Sequence, residues 1–95
     1  MYSIDENDFM VHFQNELETD TEKLTAIIMS FKDSTSNYFR LTGLAVDVTK
    51  FILKNENCTS DEIATALSSD YEGTESQFKS ELDKVMKKFN EYSIL

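Results

Sequence analysis

A chain of 95 residues that is 40% apolar and 12% aromatic is sized for one domain with a compact core, and is too apolar for a disordered tail. Eighteen acids against nine bases leave a net charge of −9, which opposes nucleic-acid binding, where phosphates must be neutralised, and docking on anionic lipid. The single cysteine, Cys58, excludes an intramolecular disulfide framework and a cysteine-built metal site, and the single histidine, His12, removes most zinc and triad chemistry.

No run of 18 apolar residues is present to cross a membrane. Residues 1–8 carry Asp5, Glu6 and Asp8 and no base, so the cationic start of a signal peptide is missing. The segment reads as a flexible tail on a cytoplasmic protein. Charge is segregated along the chain. Residues 1–22 hold seven acids and no base, 23–54 five bases and two acids, and 55–75 six acids and no base. The last stretch sets Lys79, Lys84, Lys87 and Lys88 against Glu81, Asp83 and Glu91.

The first half has the pattern of strands. Phe9, Val11 and Phe13 alternate with Met10, His12 and Gln14, which is period two. Glu16 to Glu22 is polar and reads as a loop. Thr25 to Lys32 is β-branched and apolar, with Ile27, Met29 and Phe31 on one face. Asp33 to Asn37 is a polar turn cluster. Tyr38 to Leu41 is a short third strand, with Phe39 and Leu41 on one face and Tyr38 and Arg40 on the other. The short connection predicts an antiparallel hairpin of strands two and three, and a three-stranded meander overall.

The second half has the pattern of helices. Leu44, Val48, Phe51 and Ile52 form a helical stripe that opens after Gly43 and closes near Asn55 and Asn57. Thr59-Ser60-Asp61-Glu62 has the form of a capping box, and Ile63 and Leu67 are the inward face of the short helix it starts. That helix ends near Tyr71 to Gly73. Thr74-Glu75-Ser76-Gln77 is a second box. Phe78, Leu82, Val85, Met86, Phe89 and Tyr92 then share one stripe of a helix of about four to five turns. The order predicts an α+β domain, a three-stranded antiparallel sheet followed by three helices, with a winged helix-turn-helix-like core.

No catalytic set is visible. With only Gly43 and Gly73 available, no phosphate-cradling loop can be built. His12 has no orienter or nucleophile in its strand and reads as a half-exposed strand residue. Cys58 lacks a flanking cation to lower its pKa and reads as a plain turn thiol. Asp61 and Glu62 suit the first turn of a helix, where the dipole favours acids. The chain is therefore read as no enzyme, with no cofactor and no metal site. Two features remain. The lysines of the last helix are either a solvated face laced by Glu81–Lys84 and Asp83–Lys87 pairs or a cationic strip for an acidic peptide. The third strand, placed at a sheet edge, exposes backbone groups that can accept an added strand.

Residues 37–95 resemble the PqqD-like domains, the precursor-peptide recognition elements of ribosomally made, modified peptides. The shared pattern runs through Tyr38-Phe39-Arg40-Leu41, Thr42-Gly43, Val48 to Leu53, Ser60 to Leu67, Asp70-Tyr71, Phe78 to Phe89 and Ser93-Ile94-Leu95, about 60% of the chain. The chain departs from it at Tyr92-Ser93, where a glycine is common, and residues 1–24 have no counterpart. The resemblance implies a winged-helix-like module without catalysis of its own. It would clamp the leader region of a precursor peptide and present it to a peptide-modifying enzyme on another chain. Carried onto this sequence, the leader would add to Asn37, Tyr38, Phe39, Arg40 and Leu41. The groove wall would come from Phe78, Lys79, Leu82, Asp83 and Met86.

Two alternatives use the same elements. Thr59 to Leu67 with a lysine-bearing third helix also has the look of a winged-helix DNA-binding regulator. The charge of −9 opposes it, and with the sequence closing at Leu95 no C-terminal wing is expected. A generic adaptor, or a homodimer, would use the strand edge for a protein partner.

Overall fold

The computed structural model describes residues 2–18, 21–31, 37–92 and 94. Three strands, β1 (Phe9–Glu18), β2 (Thr21–Ser30) and β3 (Asn37–Leu41), precede three helices, α1 (Leu44–Lys54), α2 (Ser60–Ser68) and α3 (Glu75–Glu91). The sheet is antiparallel with strand order β1-β2-β3. This is the α+β arrangement expected from the sequence, and helices cover one face of the sheet.

β2 is central, and its alternation sorts the sheet into two faces. Ala26, Ile28 and Ser30 are buried, together with Phe9 from β1 and Leu41 from β3. Ile27, Met29 and Phe31 share a face as the periodicity requires, but it is the outer one, where Phe31 is exposed. Small Ala26 at the inner face lets α1, the helix that packs on β2, approach closely. The β1–β2 ladder runs in register from Phe9↔Ser30 to Glu18↔Thr21. It passes through the polar stretch expected as a loop, leaving only Thr19 and Asp20 between the strands, outside the described residues. Backbone pairing does not require apolar side chains, so polarity alone misplaced that boundary. The turn expected over Asp33 to Asn37 falls outside the described residues at 33–36, and Asn37 is the first residue of β3.

Residues 2–8 are tied down rather than flexible. Tyr2 and Cys58 exchange backbone hydrogen bonds, N–H to O, of 2.6 and 3.1 Å, and Ile4 is buried. The Phe31 N–H donates to the Asp8 carbonyl at 2.8 Å, closing the same end of the sheet. Buried Ile4 and half-buried Tyr2, both packed into the core, anchor a segment that also carries Asp5, Glu6 and Asp8.

The helices begin and end where cap chemistry dictates. Gly43, at φ 64° and ψ −135°, turns the chain from β3 into α1 through a conformation that a Cβ disfavours. α1 ends at Asn55, and Asn57 takes a positive φ of 60°. Both capping boxes are formed. The Thr59 hydroxyl accepts from the Glu62 N–H and the Thr74 hydroxyl from the Gln77 N–H, while the Glu62 and Gln77 side chains accept from the Thr59 and Thr74 N–H groups. α3 closes with the Ile94 N–H donating to the Phe89 carbonyl at 2.9 Å, the six-to-one bond of a tight helix end. Phe89, Ile28, Ile52, Ile63 and Val48 are the largest side chains fully enclosed between the layers. Among the described residues no helix is long and apolar enough to cross a membrane.

Candidate functional site

β3 is an edge strand. It pairs with β2 from Ala26↔Leu41 to Ser30↔Asn37, and β1 lies on the far side of β2. An edge strand presents one row of backbone donors and acceptors away from its sheet. Its side chains alternate: Leu41 is buried, Phe39 half-buried, and Tyr38 and Arg40 exposed. The Phe39 ring stacks on Tyr92 at the C-terminal end of α3, with centroids 4.2 Å apart and planes 16° from parallel.

Between β3 and α3 runs a groove of about 390 Å³. Arg40, Leu41 and Thr42 line it from the strand, and Ala45 from the first turn of α1. Lys84, Val85, Lys88 and Phe89 line it from α3. Lys84, Val85, Lys88 and Phe89 share the groove with Leu41 and Thr42, and Tyr92 stacks on Phe39, so later helix residues meet earlier strand residues and α3 runs in the opposite sense to β3. The groove has an apolar floor with cations along it, and none of its lining residues is a carboxylate. Lys84 and Lys88 stand one helical turn apart, a like-charge spacing that costs a free helix about 0.2–0.5 kcal/mol. Lys88 in the last turn recovers part of that from the helix dipole.

Of the expected strand residues, Arg40 and Leu41 line this groove, while Asn37, Tyr38 and Phe39 continue the same edge strand beyond it; none of the expected helix residues lines it. Phe78, Lys79 and Leu82 lie on the opposite flank of α3. There they line a cleft of about 320 Å³ against α2, with Ala64, Thr65 and Ser68. Asp83 is exposed, and Met86 is half-buried against the core; neither lines the groove. The apolar stripe of α3 is centred on Phe78, Leu82 and Phe89, which all face the core. Its two flanks diverge from there, and α2 occupies the Lys79 side. Lys84, Val85, Lys88, Phe89, Thr42, Ala45 and Tyr92 are the residues that sequence reasoning did not assign to the site. Val85, Phe89 and Tyr92 stood in the stripe and Lys84 and Lys88 in the lysine cluster, but a helical wheel does not say which flank meets the strand.

Among the described residues, the remaining titratable side chains do not build a second site. Burial raises the Cys58 thiol above its ordinary value of 9.0, and its Sγ lies 3.6 Å from the Tyr2 carbonyl. Tyr71 is raised by burial and by its hydrogen bond with Glu81, and its ring packs edge-on against Phe78 at 5.1 Å. Among the described residues no group of three or more His, Cys, Asp or Glu side chains is placed to hold a metal ion. No family model matches the chain, and comparison with curated proteins and with solved structures finds no match.

Proposed function

We propose that this protein is a peptide-binding module that takes up an extended segment as a fourth strand on the outer edge of β3. The segment is the leader region of a ribosomally synthesised precursor peptide, and a separate enzyme carries out the modification. The observation that carries this reading is the pairing of an edge strand with an adjoining groove. Backbone ladders supply sequence-tolerant affinity, and a groove beside them supplies selection through alternate side chains. The resemblance of residues 37–95 to PqqD-like domains supports the same reading, as does the order of strands and helices.

The ladder is short, five residues from Asn37 to Leu41, and the peptide loses chain entropy on ordering. Affinity is therefore modest, about micromolar to high nanomolar, which suits a carrier that must release its cargo. The module acts in the cytoplasm and contributes no catalytic group. Nucleic acid is an unfavourable ligand at a net charge of −9.

Calorimetry and amide hydrogen exchange with the leader peptide encoded beside this gene test the proposal. Binding should come with slowed exchange at residues 37–41. Absence of heat together with unchanged exchange at millimolar peptide would refute it. A second reading, self-association or docking of a protein partner, is favoured by the exposure of Met10, Phe31 and Tyr38 on the sheet. Light scattering across a concentration series separates the two, because a dimer through β3 would occupy the peptide's edge.

A further inference from the structure

The chain carries nine more acids than bases, yet the β3–α3 groove is lined by Arg40, Lys84 and Lys88 and by no carboxylate. The nearest acid upstream on this flank, Glu81, is hydrogen-bonded with Tyr71 and lines a different cleft, beside Asp70 and Glu72. The local sign is therefore opposite to that of the whole molecule. An acidic ligand is repelled at a distance and attracted at this seam, so charge acts here as a filter.

Spacing sharpens the point. Lys84 and Lys88 are one turn apart, about 6 Å along the helix axis. On an extended strand, side chains of the same face recur every two residues, about 6.6–6.8 Å. α3 runs in the opposite sense to β3 across the groove, and the side-chain repeat of a strand added to β3 nearly matches the lysine spacing. Leu41, Ala45, Val85 and Phe89 supply an apolar floor for a further side chain of that face.

Resting on the peptide-binding reading above, we infer that the groove selects an acidic-apolar segment: carboxylates at groove-facing positions two residues apart, set against Lys84 and Lys88, with an apolar residue on the same face. Lys79, on the α2 flank, takes no part in this selection.

The test is selection of a displayed library of randomised dodecapeptides against the native protein, the double variant K84E/K88E and the control K79E. Circular dichroism verifies that each protein is folded, and all three positions are exposed. The native protein and K79E should enrich Asp or Glu at alternate positions beside an apolar residue, and K84E/K88E should enrich Lys or Arg there. Replacing the selected carboxylates by amides should weaken native binding about tenfold, the combined effect of two partly screened charge contacts. Equal enrichment by the native protein and K84E/K88E, or affinity unchanged by the amide replacement, overturns the inference while leaving strand addition intact. Failure of any peptide to enrich on any of the folded proteins overturns the peptide-binding reading itself.

Discussion

The rings of Phe39 and Tyr92 stack 4.2 Å apart, joining the edge strand to the end of the last helix across more than fifty residues of sequence. This contact lies beside the residues that line the β3–α3 groove and ties the end of the helix to the strand. Offset ring pairs contribute about 0.5–1.5 kcal/mol beyond the area they bury. In a double-mutant cycle, Phe39→Ala and Tyr92→Ala should show a coupling of that size, read from urea denaturation midpoints. Additive effects of the two substitutions would show that the stack does not tie the helix to the strand.

The turn into α3 is built around Gly73 as well as Thr74. At φ +144°, a Cβ on residue 73 would sit 2.8 Å from the Gln77 Oε1 and 2.9 Å from the Tyr71 Cε1. The Gln77 Oε1 is the atom that accepts the Thr74 N–H. Gly73→Ala should therefore cost about 1–3 kcal/mol through strain and a displaced box. Thr74→Ala and Thr59→Ala should cost about 1 kcal/mol each. For a domain of this size, each kcal/mol lowers the melting temperature by roughly 4–8 °C. A Gly73→Ala protein that melts with the native one would contradict the geometry of this turn.

Thr25, on the central strand, is 1% exposed, and among the described residues its Oγ1 has no hydrogen-bond partner. A buried hydroxyl left unpaired costs about 1–3 kcal/mol. Thr25→Val keeps the β-branched shape and removes the oxygen, so it should raise stability by about 1 kcal/mol. Chemical denaturation reads the change directly, and a loss of stability would mean that the hydroxyl is satisfied in solution.

Cys58 gives the fold an alkaline limit. Burial is the main cause of its raised pKa, so the folded state holds the thiol proton more tightly than the unfolded chain. The resulting stability is complete below the ordinary value of 9.0 and is lost as pH rises through and above it. Tyr71, also raised, adds a loss starting from its ordinary value of 10.0. Denaturation midpoints should therefore fall from about pH 9 upward. In Cys58→Ala the fall should begin nearer the tyrosine range. A thiol reagent at pH 8 should react slowly with the native protein and rapidly in urea. Fast native reaction would show that the Tyr2–Cys58 bridge opens readily.

The order of three strands and three helices, both capping boxes, the glycine turn before α1 and the alternation within β3 are legible in the residues alone. All of these are written in short-range terms, as a period of two or 3.6, a hydroxyl three residues before a carboxylate or amide, or a residue that tolerates positive φ. Long-range packing settles that Ala26 and Ile28, rather than Ile27, Met29 and Phe31, face the helices, and that Ile4 is buried within residues 2–8. It also settles that β1 and β2 continue through the polar stretch toward Thr19 and Asp20, and that the Val85–Lys88 flank of α3, rather than the Phe78–Lys79 flank, meets β3. Periodicity defines the stripe on an element but not its rotation against a neighbour. That rotation is set by how side chains distant in sequence fill the shared core, with α2 packed on one flank of α3 and Phe39 stacked on the other.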